Sequence, residues 1–115
     1  MYSVYAWKTG GLDFHCLLVL PQRTAIKLED KFMEMDFADP KAESLRRLLG
    51  GDSDDVSIDR AGRICLPENL AKMAGINGES ILVGMFDRFQ IWNPEYYEHV
   101  RAVDLAHESE AKSMI

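Results

Sequence analysis

Two stretches of this chain echo one another. GLDFHCLLVLPQRTAIKLEDKF, beginning at position 11, and GMFDRFQIWNPEYYEHVRAV, beginning at position 84, each run glycine, aspartate, apolar strand, proline, helix, with a one-residue offset before the proline. Self-similarity at this scale points to duplication of one β-β-α-β-β-α unit, which restricts the fold to short strands alternating with short helices. A chain of 115 residues has room for one small domain, or for two such units sharing a core. The copies are unequal. The second has a hairpin sequence, VSIDRAGRICLP, and a helix, ENLAKMAG, ahead of its Gly84, whereas ten residues precede Gly11. The expectation is therefore one complete repeat and a first repeat lacking its N-terminal half.

In VSIDRAGRICLP, residues 56–67, Val56 and Ile58 alternate with Ser57 and Asp59, and Ile64 and Leu66 alternate with Arg63 and Cys65. That is the period-2 pattern of two half-buried strands. The DRAG between them suits a type I turn: an Asp side chain at the first position can accept bonds from the turn backbone, and Gly tolerates the exit conformation. Parity places Asp59 and Arg63 on the face opposite Ile58 and Ile64. After Pro67 a short helix is predicted, with Leu70, Met73 and Ala74 inward and Gly75 as its stop. SILVGMFDRFQIWNP then predicts a strand pair broken near Gly84 and Asp87. Asn93 caps a following helix that has Pro94 in its first turn and a buried stripe of Tyr97, Val100 and Val103.

Upstream, HCLLVLP predicts a strand ending at Pro21. A helix through AIKLEDKFMEM follows, with Ala25, Leu28, Phe32 and Met35 on one face. Asp39 and Pro40 open another helix that turns Ala42, Leu45 and Leu49 inward and stops at Gly50 and Gly51, with Arg46 and Arg47 facing solvent. From Ala106 onward the chain is expected to fray.

Hydrophobic residues make up 47% and charged residues 28%, values that suit a folded globular chain rather than a disordered one. No apolar run approaches the ~20 residues that span a bilayer, and MYSVYAWKTGG has no basic leader with an apolar stretch, so a cytoplasmic location without membrane contact is expected. Cys16 and Cys65 lie in apolar strand contexts without C-x-x-C spacing and are expected to be buried free thiols. His15, His99 and His107 are scattered, and neither a metal nor a cofactor is expected. There is no Gly-rich phosphate loop, H-E-x-x-H or G-x-S-x-G, so the chain does not read as an enzyme or as a binder of a small-molecule substrate.

A formal charge of −6 opposes nucleic-acid binding, because affinity for phosphate comes largely from Lys and Arg releasing counterions. The charge is unevenly spread, however. Acids crowd into residues 29–39, 51–55 and the tail, while between Val56 and Pro94 the acids Asp59, Glu68, Glu79 and Asp87 are balanced by Arg60, Arg63, Lys72 and Arg88. On the residues alone, Asp59 and Arg63 read as a turn-stabilising pair, Arg88 as either a salt bridge or a functional surface, and Trp92, Tyr96 and Tyr97 as packing residues.

DRAGRICLPENLAKMAGINGESILVGMFDRFQIWNPEYYEHV resembles the second repeat of the MraZ family of bacterial transcriptional regulators, and the likeness extends back through FADPKAESLRRLLGG to about Gly11. The carriers are Asp-x-x-Gly-Arg before an apolar-Pro step, a helix ending in Ala-Gly, then LVG, DRF and IW-x-P. The resemblance implies an α+β fold, an AbrB-like swapped-hairpin β-barrel with short helices. Residues 1–50 would be a partial first repeat, 51–105 a complete second repeat and 106–115 a frayed tail. It also implies a nucleoid-associated, ring-like homo-oligomer on double-stranded promoter DNA, repressing a division and cell-wall gene cluster. Asp59 and Arg63 match the family's Asp-x-x-x-Arg motif, with Arg60 and Arg88 as neighbouring contacts. The alternative is a protein-interaction or oligomerisation module of the same fold, with DNA binding weakened or lost.

Overall fold

The computed structural model describes residues 1–8 and 12–115; Gly11, where the first of the two echoing stretches begins, lies outside the described residues. Five strands and five helices follow one another as β1 (Tyr2–Lys8), β2 (His15–Pro21), α1 (Gln22–Glu34), α2 (Pro40–Gly51), β3 (Ser53–Val56), α3 (Glu68–Met73), β4 (Ile81–Gly84), β5 (Phe89–Trp92), α4 (Pro94–Ala106) and α5 (Glu108–Lys112). The strands form one antiparallel sheet in the order β3-β1-β2-β5-β4, so the α+β class is found. Among the described residues no ladder joins β3 to β4, and the sheet has two edges.

The two echoing stretches supply neighbouring strands of this sheet, β2 and β5. β2 and β5 each lead into a helix, and they pair antiparallel through Leu17 with Ile91 and Leu18 with Gln90. Setting Pro21 on Pro94, the alignment seen in the sequence, makes Leu18 equivalent to Ile91 and Leu17 to Gln90. Under that alignment the two cross-strand pairs exchange. The hairpins β1-β2 and β4-β5 thus lie side by side in one sheet, although the same alignment sets Tyr2–Lys8 on residues 75–81, which meet β4 at Ile81 alone.

β2 has helices on both faces, which explains its unbroken apolar run: a strand covered on both sides does not alternate. Leu17 and Val19 join Val4, Ala6, Val56 and Ile91 under Leu70 of α3 and its C-cap residue Ala74. Leu18 and Leu20 face the other way, packing with Tyr5, Ala25 of α1 and Leu49 of α2, while Cys16 on that face meets Trp92 and Val100 of α4. Trp92, Leu17 and Leu20 are fully enclosed, and each contributes roughly 1.5–3 kcal/mol of burial. Burial pushes the Cys16 thiol pKa up to about 12.

The helix ends follow their sequence signals. Asp39 accepts the Lys41 N–H, and Asn93 accepts those of Glu95 and Tyr96, each with Pro in the first turn. At the end of α3, Gly75 adopts φ 65° while its N–H reaches the Lys72 carbonyl and that of Ile76 reaches Ala71, the paired bonds of a Schellman stop. Asn93 Nδ2 donates to the Gly75 carbonyl at 2.7 Å, which fastens this stop to the start of α4.

Several expectations are corrected. Strand β1 was not foreseen, and β3 begins within the acidic run 51–55, where Asp54 and Asp55 stand exposed on an edge strand. Charged residues on an edge discourage further pairing, which reconciles the composition with strand structure. Arg46 does not face solvent: Nε and Nη2 donate to the Phe32 carbonyl and Nη2 also to that of Met35, satisfying the last carbonyls of α1. Cys65 is exposed rather than buried, and Val103 lies on the open side of α4. The chain beyond Ala106 forms the short helix α5, which buries no side chain.

Candidate functional site

β3 ends opposite Tyr2, and the chain then runs past the sheet as a narrow hairpin held by a bridge between Ile58 and Ile64. Ile64 packs against the core, whereas Ile58 is 40% exposed. At the tip the Gly62 N–H donates to the Asp59 carbonyl at 3.0 Å, closing the predicted type I turn, and Gly62 follows at φ 79°. A type I turn with a left-handed Gly after it makes the three-residue hairpin loop whose twist suits its strands. The Asp59 N–H then bonds the Arg63 carbonyl at 2.9 Å.

Asp59 organises the rest. Its Oδ1 accepts the N–H groups of Ala61 at 2.9 Å and Arg63 at 2.8 Å, and its Oδ2 accepts Arg63 Nε at 2.9 Å. These bonds favour the charged carboxylate and hold its pKa below the usual 3.8, the Arg63 backbone N–H being the largest cause. Arg63 remains 79% exposed, with Nη1 and Nη2 making no hydrogen bond among the described residues. The side chain is therefore fixed at its inner nitrogen and open at its outer fork. Arg60, at the second turn position, is exposed and makes no ion pair among the described residues.

Arg88 lies on another turn, between β4 and β5. Asp87 takes both its Nε at 2.9 Å and its Nη2 at 3.1 Å; the side-chain bond from Arg88 lowers the Asp87 pKa and in return raises that of Arg88. Of the two sequence readings of Arg88, the ion pair is formed. Topology nevertheless brings the turns to one end of the sheet, because Tyr2 pairs with both Val56 and Pro21, and Phe89 opens β5 beside Val19.

Sequence reasoning missed Arg23 and Lys27. They sit one turn apart on α1 and line, with Arg88, a hollow of about 470 Å³ at that same end of the sheet. Their i, i+4 spacing was a signal, but nothing local shows that α1 starts beside the β4-β5 turn. Among the described residues no group of three or more His, Cys, Asp and Glu side chains is placed to hold a metal, and no helix is long and apolar enough to cross a membrane.

Fold and site together define a small α+β module whose projecting hairpin carries an exposed guanidinium anchored by a carboxylate. A family model described as "MraZ protein, putative antitoxin-like" matches residues 49–114, which contain the whole hairpin. The chain is 40% identical over 80 residues to the transcriptional regulator MraZ of Nitrosospira multiformis, covering 70% of this chain and 54% of that protein. It is 33% identical over 108 residues to the MraZ regulator of Desulfitobacterium hafniense strain Y51 (93% and 75%) and 31% over 106 residues to that of Clostridium tetani (92% and 74%). The matched stretches span from about half to three quarters of these relatives' lengths. The chain belongs to the MraZ family.

Proposed function

We propose that this chain is a non-enzymatic, sequence-specific DNA-binding regulator of transcription. In this reading it acts in the cytoplasm, at the nucleoid, as a ring-like homo-oligomer that represses a division and cell-wall gene cluster through repeated promoter elements. Residues 1–50 and 51–105 are read as a partial and a complete swapped-hairpin repeat, with 106–115 as a tail. The observation that carries the proposal is the Arg63 fork. Its inner nitrogen is bound to Asp59 and its outer donors make no hydrogen bond among the described residues, a geometry that suits the O6 and N7 acceptors of guanine or a backbone phosphate. Arg60 supplies a positioning contact to phosphate. The relatives, named as transcriptional regulators, support the same reading. One fingertip binds weakly, and repetition around an oligomer raises the effective concentration of the others.

The test is salt-titrated binding to a duplex from the chain's own promoter. Wild type is expected to bind with steep salt dependence, and Arg63→Ala to lose about 1–3 kcal/mol of affinity with mass and melting temperature unchanged. Equal binding by both proteins, or none at low salt, would favour the protein-interaction module instead. The antitoxin-like family description and the net charge of −6 support that second reading.

A further inference from the structure

The hollow lined by Arg23, Lys27 and Arg88 is unusual for so acidic a chain, since three cations share its wall with a single carboxylate, Asp87. Arg23 and Lys27 are exposed and make no ion pair among the described residues, and Lys27 lies close enough to Asp87 to favour its charged form. Asp87 already holds Arg88 through two bonds, which fixes the guanidinium and leaves Nη1 without a hydrogen bond among the described residues. The Thr24 hydroxyl donates to the Asp87 carbonyl at 3.3 Å, tying the first turn of α1 to the β4-β5 turn so that cations from distant parts of the chain face one space. Cations converging without matching acids repel one another, and an anion between them removes that repulsion.

Backbone strain points to the same place. The Asp87 N–H bonds the Met85 carbonyl at 2.8 Å across Phe86, whose φ is 66°. A three-residue turn with positive φ at a bulky aromatic is rare and strained. Phe86 lines the hollow and is otherwise fully exposed, so packing does not account for the strain, and strain of this kind clusters at functional sites.

We infer that this hollow is a phosphate-group site that receives a backbone phosphate of the same duplex whose bases face Arg63. The inference rests on the DNA-binding reading, and it adds a positioning contact on α1 and the β4-β5 turn, at the sheet end from which the hairpin projects. Arg23 and Lys27 supply exposed charges, and Arg88 is the donor held in place by Asp87.

Two measurements on the full chain test it. Titration of inorganic phosphate against chloride at equal ionic strength, followed by amide NMR, is expected to shift Thr24, Asp87 and Arg88 in wild type and not in an Arg23→Gln/Lys27→Gln variant. In DNA binding, the same variant is expected to weaken affinity several-fold and to reduce the slope of log K against log salt by about 1. Both substitutions are at exposed positions, and an unchanged melting temperature confirms the fold. Phosphate shifts without any change in DNA affinity or slope would overturn the backbone assignment and leave a site for free phosphate. Absence of shifts at these residues would overturn the site itself. Failure of wild type to bind DNA while the phosphate shifts appear would sink the regulator reading but uphold the anion site.

Discussion

Asp59 and Arg63 are joined both through the backbone and through the side chain, with one carboxylate oxygen on the Arg63 N–H at 2.8 Å and the other on Nε at 2.9 Å. The carboxylate that shapes the turn thus also aims the guanidinium. Because the folded-state pKa of Asp59 lies below its unfolded value, its contribution to the hairpin is complete above the unfolded value and is lost as pH falls through the folded one. NMR titration of the Asp59 carboxyl carbon is expected to give a midpoint below 3.8, with the Arg63 amide moving at the same midpoint. A midpoint at or above the ordinary value would mean that the anchor is not formed in solution.

The stop of α3 presses on α4. A Cβ on Gly75 would lie 2.7 Å from Tyr96 Oη and 2.8 Å from Cε2, at a φ of 65° that L residues resist. Gly75→Ala is expected to destabilise the protein by about 2–4 kcal/mol in urea unfolding. Tyr96→Ala in the same background should recover the steric share and leave the backbone share. Full additivity of the two substitutions would show that they do not meet.

Phe86 offers the opposite experiment. With its ring in solvent and its backbone at φ 66°, replacement by Gly removes strain without opening a cavity. Phe86→Gly is expected to gain about 1 kcal/mol, measured as a higher urea midpoint with unchanged slope, whereas Phe86→Ala should gain nothing. A loss with Gly would place the turn in another conformation in solution.

The two cysteines should separate by reactivity. Cys65 is exposed, while Cys16 is enclosed with its pKa raised to about 12. Thiol titration of the native protein is expected to modify one cysteine promptly, with Cys16 following only in denaturant. Prompt modification of both would show that the sheet centre opens readily.

Much of this fold was legible because its signals are local. The DRAG turn, the Asn93 and Asp39 caps with their following prolines, and the Gly75 stop each depend on a few consecutive residues, and each is found. The unforeseen features depend on distant partners. Arg46 reads as a surface charge until α1 ends beside it, and the aspartates of β3 read as a loop until β1 pairs with them. β1 itself belongs to a hairpin whose meaning comes from β2 and β3 together. The hairpin arginines of the site could be found in the same local way, whereas the hollow formed by Arg23, Lys27 and Arg88 could not, since two elements from opposite halves of the chain build it.

The seam between β2 and β5 has a kinetic consequence. Each hairpin can close early from neighbours in sequence, but Leu17 meets Ile91, and Leu18 meets Gln90, only when opposite ends of the chain find one another. Long-range closure of this kind slows folding, and until it happens the apolar flanks of both hairpins stand open. The join that makes one sheet out of two hairpins is therefore the step at which a newly synthesised chain is most exposed to pairing with the wrong neighbour.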